Sequence, residues 1–484
     1  MVAVVALLLT LALVGSRLFV VVGVATAACF LTFTDYTDAA LQLDRIVTKV
    51  ESLTGKNVFL SIPFFVAAGA VLTRGGVARR LTDLAREATA WLPGGLAIAS
   101  IAACIVFAAI SGSSPVTLVA VGSVMVPALI ASGYPPRFAV GLVCAAGSLG
   151  CMIPPAISML VYAISVQGTA AVEPADLFLA GLIPALGIAG LLAVYAAFVG
   201  SRVPGSRRPI DMARLWTAFR EAAWALTLPA LVLGGIYGGA FTPTEAGAVA
   251  FVASLVLATW VYGDVGPSDI PALLAEAATL IGSLILLVVL AFGLNDFLAE
   301  IDAPARLQTW VTDANLSSWQ FMLLVNGVLI VLGALMDSMS ATLVFAPIFA
   351  PVAIEAYGID PLHFGVVFVV NMEIGYIAPP VATNLFVAAA IFRMPFGEVA
   401  KAILPTLGIV TAALVVLIYV PTLSLGLVNW RDGEPIVADF PWERPAPEAP
   451  APAPTGKRPL TLQELMESAR RNAAEPSPPT PPPE

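Results

Sequence analysis

The sequence is short of charge, cysteine and histidine, and each shortage removes a class of protein. Only 11% of its 484 residues are charged, 59% are hydrophobic, and mean hydropathy is +0.93. Soluble domains carry roughly 25% charged residues, so a soluble fold is excluded. The four cysteines (Cys29, Cys104, Cys144, Cys151) lie in apolar stretches with no Cys-x-x-Cys spacing. That excludes a disulfide framework or zinc site, and they read as small buried hydrophobes. The one histidine, His363, begins an apolar segment far along the chain from Ser113. An intramembrane serine hydrolase needs a base beside its nucleophile, so the chain is not read as an enzyme. A net charge of −9 argues against nucleic acid. The N-terminus lacks a basic region and a cleavage site and reads as a retained span.

What is present is a series of long apolar stretches. A helical span needs about 20 such residues. The fold class is therefore an all-α polytopic membrane protein with about 10–12 transmembrane helices. From Ala88 to Pro136 no residue is charged, yet Ser111-Gly112-Ser113-Ser114-Pro115 interrupts that stretch. Opened peptide groups at membrane depth persist only where protein buries them or they line a cavity. The break is therefore a candidate binding site.

The break recurs. At an offset of 225 residues, Ser113 aligns with Ser338, Thr117-Leu118-Val119 with Thr342-Leu343-Val344, Gly150 with Gly375, and Pro154-Pro155 with Pro379-Pro380. The arginine-rich loops 74–86, 202–220 and 393–401 are placed in the cytoplasm by the positive-inside rule. The two segments are then entered from opposite faces. Inverted repeats with broken helices in matching positions are the pattern of secondary transporters. The first repeat is read as residues 1–200, with a re-entrant hairpin at 97–136 and a broken helix at 137–167. A basic connector, 201–222, leads to the second repeat, 223–425, with a hairpin at 319–357 and a broken helix at 363–393. Residues 426–484, rich in proline and alanine, read as a disordered tail.

A hairpin tip leaves carbonyls free at one helix end and amides free at the other. Carbonyls and the hydroxyls of Ser111, Ser113 and Ser114 are hard oxygen donors suited to a cation such as sodium. The amide ends favour an anion. Gly147, Ser148, Gly150 and the carbonyl before Pro154 supply the facing half. The second half offers Asp337, Ser338, Gly375, Thr383 and Asn384. Asp337 and Glu373 are charges inside apolar segments, which by default mark function. Asp337 is read either as a cation ligand or as a cap on the hairpin. Glu373 is read as a coupling or structural acid. Glu245, after Thr242-Pro243-Thr244, is read either as functional or as a helix start.

Ile62-Pro63-Phe64-Phe65 with Ala68-Gly69 and Arg74-Gly75-Gly76 resembles a signature of the large membrane subunit of TRAP (tripartite ATP-independent periplasmic) transporters. So do Ile110-Ser111-Gly112-Ser113, Met152-Ile153-Pro154-Pro155, Thr242-Pro243-Thr244-Glu245-Ala246, Met336-Asp337-Ser338, and Glu373-Ile374-Gly375 with Asn384-Leu385-Phe386. The resemblance spans roughly residues 1–425. It implies a multi-pass permease of a bacterial or archaeal inner membrane, of elevator type, importing an organic acid such as a C4-dicarboxylate with sodium as coupling ion. The implied partners are a small membrane (Q) subunit, a periplasmic substrate-binding (P) protein and the lipid bilayer; no other cofactor is implied. A self-sufficient sodium/anion symporter of the same architecture is the alternative. By the resemblance, one sodium site falls at Ser111, Gly112, Ser113 and Ser114 with Gly147, Gly150 and Pro154. A second falls at Asp337 and Ser338 with Gly375, Pro379 and Thr383. The substrate contacts fall at Ser113, Ser158, Ser338 and Asn384. Because only the second tip carries a charge, the two sites are expected to bind sodium unequally.

Overall fold

The computed structural model describes residues 18–33, 57–204, 207–379 and 382–442. Among these residues the chain is helical, with no strand. Seven of the described helices are long and apolar enough to cross a membrane, or eight if one bent pair counts as a span. The segment 34–56 and the tail from 443 lie outside the described residues.

In chain order the first helices are α1 (Leu18–Phe33), α2 (Asn57–Arg74), α3 (Val77–Thr89), α4 (Gly95–Ser111) and α5 (Ser114–Ala131). Then come α6 (Pro136–Ser148), which ends in a tight turn at Leu149–Cys151, α7 (Ile157–Ser165), α8 (Pro174–Gly200) and α9 (Met212–Tyr237). The second half holds α10 (Pro243–Val256, continued by a wider turn to Val261), α11 (Ile270–Glu300), α12 (Ala303–Asp313) and α13 (Ser318–Leu335). It closes with α14 (Ser338–Pro351), α15 (Pro361–Ile377), α16 (Thr383–Phe392), α17 (Phe396–Tyr419) and α18 (Thr422–Asp432).

Local chemistry sets many of these starts. Pro136, Pro174, Pro243 and Pro361 each open a helix, where the missing N–H costs nothing. Thr242 and Glu245 form a reciprocal capping box, with Thr242 N donating to Glu245 Oε2 at 2.8 Å and Glu245 N to Thr242 Oγ1 at 3.3 Å. Of the two readings of Glu245, this geometry is the helix start.

Two groups of helices pack together. The helices around the breaks form one: α5 lies on α6, α13 on α15, α14 on α7 and α16 on α5, while α17 covers α6 and α15. The other group sets α2 against α10, and α11 against α1 and α2. Helix α3 joins the groups. The chain turns by 71° at Gly75-Gly76, and α3 then buries Val77, Ala78, Leu81 and Thr82 against α4 and α9. The bend is pinned by Asp264, which accepts hydrogen bonds from Arg80 Nη1 at 2.5 Å and from Gly76 N at 2.9 Å. Partial burial alone would raise the Asp264 carboxyl, but these bonds outweigh it and hold it below the usual carboxylate range. The Arg80 guanidinium also lies 3.9 Å from the centre of the Tyr262 ring.

The ordered chain reaches past the expected boundary at 426. Helix α18 runs to Asp432, and Arg431 pairs with Asp176 at 2.6 Å. Beyond it, Phe440 is buried, Trp442 stacks on Tyr419 with centroids 5.2 Å apart, and Ser318 donates to the Pro441 carbonyl. Composition misjudged this segment because proline dominates only further on, while buried Phe440 and the face of Trp442 stacked on Tyr419 supply the apolar contact that ordering requires. These contacts sit at the Tyr419 end of α17. Its other end carries the Arg137–Glu398 pair, about 32 Å away at 1.5 Å per residue from Glu398 to Tyr419.

Candidate functional site

Helix α4 ends at Ser111 because Gly112 takes a left-handed conformation (φ 59°) and returns its N–H to Ala108 O at 2.8 Å. Helix α5 restarts at Ser114, with Pro115 in its first turn. Ser111 and Ser114 are buried, and Ser113 is half-buried. The second tip turns differently. Asp337 caps α14: its Oδ1 accepts Met339 N and Ser340 N, each at 3.0 Å, and its Oδ2 accepts the Ser340 hydroxyl. Of the two readings of Asp337, the described contacts are those of the cap. Both oxygens are engaged locally, so the charge difference between the tips is no longer that of a free ligand.

The two halves share a bonding pattern beneath this difference. Thr117 Oγ1 donates to Ser113 O at 2.9 Å, and Thr342 Oγ1, its counterpart, donates to Ser338 O at 2.7 Å. Ile157 N donates to Gly112 O at 3.2 Å, and Ala382 N, at the equivalent position, donates to Ala334 O at 3.2 Å. Each broken helix is thus tied by one backbone bond to the hairpin of its own half. Thr117 and Thr342 lie inside the aligned segments but outside the set of residues that the sequence marks as site ligands. Their polar identity at matching positions was the available signal.

The glycines serve the close approach of these elements. A Cβ on Gly150 would lie 2.9 Å from Ser113 O, and one on Gly375 would lie 2.5 Å from Gly333 Cα. Gly147 faces Leu118. Pro154 is buried, Pro379 is exposed, and Pro380 lies outside the described residues.

Contacts across the halves bring the predicted residues together in two places. Asn384, at the start of α16, donates through Nδ2 to Ser114 Oγ of the first tip. Glu373, on α15, adjoins Ser338 of the second tip and Cys151 of the first broken helix, and Cys151 adjoins Ser158. Cys151, read from sequence as a plain hydrophobe, is thus a link between the halves. Several buried polar atoms here have no hydrogen-bond partner of good geometry: Ser158 Oγ, Asn384 Oδ1 and both carboxylate oxygens of Glu373. A buried unsatisfied polar group costs about 1–3 kcal/mol. Such a cluster calls for an occupant. The helix ends supply fields of both signs around it. Carbonyl ends of α4 and α15 and amide ends of α5, α7, α14 and α16 converge on the breaks. The arrangement can hold a small cation on carbonyl and hydroxyl oxygens and an anion on amides and side-chain donors.

A family model described as "Tripartite ATP-independent periplasmic transporter, DctM component" matches residues 2–423. The chain is 45% identical over 373 residues to the C4-dicarboxylate TRAP transporter large permease protein DctM of Pseudomonas aeruginosa, covering 77% of this chain and 86% of that protein. It is 39% identical over 435 residues to the protein of the same description from Rhodobacter capsulatus, covering 87% and 97%. An isethionate TRAP transporter permease protein DctMQ of Oleidesulfovibrio alaskensis is 34% identical over 414 residues, covering 84% of this chain and 64% of that protein. Among solved structures, the YdaH transporter of Alcanivorax borkumensis shares the fold with a TM-score of 0.58, at 15% identity, over 87% of this chain and 98% of that one.

Proposed function

The chain belongs to the DctM-component family of tripartite ATP-independent periplasmic transporters, and from that premise we propose that it is the large permease subunit of a sodium-coupled importer of organic acids. The cargo is a C4-dicarboxylate-like carboxylate, in keeping with the names of the Pseudomonas and Rhodobacter relatives. A periplasmic binding protein delivers it. A small membrane subunit completes the permease, in line with the DctMQ description of one relative. The membrane is the inner membrane of a bacterium or archaeon, with the arginine-rich loops in the cytoplasm.

The observation that carries this reading is the pair of tips held by equivalent bonds, Thr117 to Ser113 O and Thr342 to Ser338 O. Both lie in apolar surroundings, and each meets the broken helix of the other half. Sodium is assigned to two sites, one at Ser111–Ser114 with Gly147, Gly150 and Pro154, the other at Asp337–Ser338 with Gly375, Pro379 and Thr383. Ser113, Ser158, Ser338 and Asn384 face the carboxylate, and Glu373 couples the two halves. The hairpins move with the broken helices as one body, and α3 flexes at Gly75-Gly76.

Uptake into vesicles containing the permease and its binding protein is expected to collapse when sodium is replaced by potassium. Uptake that persists in potassium overturns the coupling. The double variant Ser113→Ala/Ser338→Ala is expected to raise the sodium concentration for half-maximal uptake by about tenfold, the equivalent of one lost bond of about 1.4 kcal/mol. An unaltered sodium dependence assigns these serines to packing alone.

A further inference from the structure

We infer that a cavity of about 390 Å³ on the arginine-rich face binds a phosphate-bearing anion, bridging α3, the first hairpin and the connector between the halves. Three arginines line it: Arg86 from α3, Arg208 from the connector and Arg214 from the first turn of α9. Two carboxylates stand with them. Glu87 lies 3.4 Å from Arg86, and Asp211 lies 3.1 Å from Arg214. Among the described residues Arg208 has no ion-pair partner, so the lining carries one uncompensated positive charge. The connector is fastened at this point by Arg208 N, which donates to Ala90 O at 2.8 Å.

Tyr134, beyond the end of α5, is a further wall residue and is only 2% exposed. Its hydroxyl is sealed against Gly200 of α8, where an added Cβ would lie 3.0 Å from it. The phenol therefore closes the back of the cavity, and the charged contacts fall to the arginines. The α9 amide end does not provide a rival site, because Asp211 already accepts Ala213 N and Arg214 N.

Arginine forks fit the spacing of phosphate oxygens. Part of the remaining wall is apolar, made by Leu96 of α4 with Ala128 and Ala131 of α5. Trp91, 54% exposed, stands beside it where an interfacial anchor would. An anionic headgroup with its glycerol attached would fill both kinds of wall, and basic pockets between spans on the cytoplasmic side bind such headgroups. A soluble phosphate offers the same charged chemistry without the apolar part. Either occupant would tie the first hairpin to α3 and so load the joint between the two groups of helices.

The test uses the full-length protein in detergent. Native mass spectrometry with phosphatidylglycerol or phosphatidylcholine measures lipid retention, and thermal shift with inorganic phosphate measures the soluble source. Wild-type protein is expected to retain phosphatidylglycerol about tenfold over phosphatidylcholine, and Arg86→Gln/Arg208→Gln is expected to lose that preference. A phosphate-dependent thermal shift, present in wild type and absent in the double variant, supports the soluble source instead. Arg208→Lys is expected to keep most of the retention. If the double variant does not purify, Arg208→Gln, which breaks no ion pair, carries the comparison. Arg202→Gln is the control, since Arg202 lies over Phe198 on the same face and does not line the cavity. The proposal is overturned if wild type shows neither preference nor shift, if the variant matches wild type, or if Arg202→Gln removes the preference equally.

Discussion

Alanine at Gly112 is expected to reduce uptake at least tenfold, while alanine at Gly168 leaves it unchanged. Gly112 has φ 59°, ψ 14°, a conformation that costs an L-residue about 1–2 kcal/mol. The added Cβ would also lie 2.3 Å from Pro155 O. Neither partner in that clash can rotate away, because the backbone fixes the Cβ position and Pro155 O is main chain. Relief requires the tip and the broken helix to separate. That breaks the Ile157 N to Gly112 O bond and moves Ser111, Ser113 and Ser114 relative to Gly147 and Gly150. Gly168 has open space where its Cβ would go. A cost near 1.4 kcal/mol is already tenfold in an equilibrium, and the clash adds to the conformational term. Uptake per purified permease, at matched binding protein, is the measurement. Gly112→Ala within twofold of wild type would mean that the tip geometry is not tied to transport.

The positions of the breaks were legible because their residues act locally. Gly112 stops α4, Pro115 starts α5, and Pro361 starts α15, whatever surrounds them. The repeat was legible for the same reason, since Gly, Pro and Ser are the residues that cannot be exchanged freely at a break. Asp337 was only half legible. An aspartate just before a helix is a common cap, but an aspartate in an apolar stretch also signals a site, and only the bonds to Met339 N and Ser340 N favour the cap. What sequence withheld was the pairing across halves. Nothing local in Cys151 announces that it will adjoin Glu373, more than 200 residues on. Nor does Asn384 reveal that its amide meets Ser114. Such contacts depend on how two hairpins interleave, and periodicity carries no record of that. The ordered segment to Trp442 was missed for a different reason. The composition of residues 426–484 as a whole is dominated by the prolines of its later part.

Glu373→Gln is expected to lower uptake by more than about tenfold while leaving thermal stability equal to wild type or higher. The two halves of that result have one cause. Glu373 is 1% exposed, and neither carboxylate oxygen has a hydrogen-bond partner of good geometry. An ionisable group held this way in a membrane protein is a burden on the fold, so an amide of the same shape relieves stability rather than reducing it. Packing is conserved, because Gln fills the same volume and the neighbouring Cys151 and Ser338 are untouched. If Glu373 serves only to fill space, uptake survives the change. If the carboxylate neutralises a cation or answers the occupancy of Ser338, uptake falls with the charge alone. The sodium dependence divides these functional roles further. A loss of maximal rate at unchanged sodium affinity makes Glu373 a coupling group, and a rise in the sodium requirement makes it part of a cation site. Glu373→Ala is the structural control. It opens a cavity in the packed core, where truncating a large buried side chain costs about 2–5 kcal/mol, so it is expected to lose stability as well as uptake. Equal uptake in wild type and Glu373→Gln would remove Glu373 from the transport mechanism and leave its burial as a property of the fold.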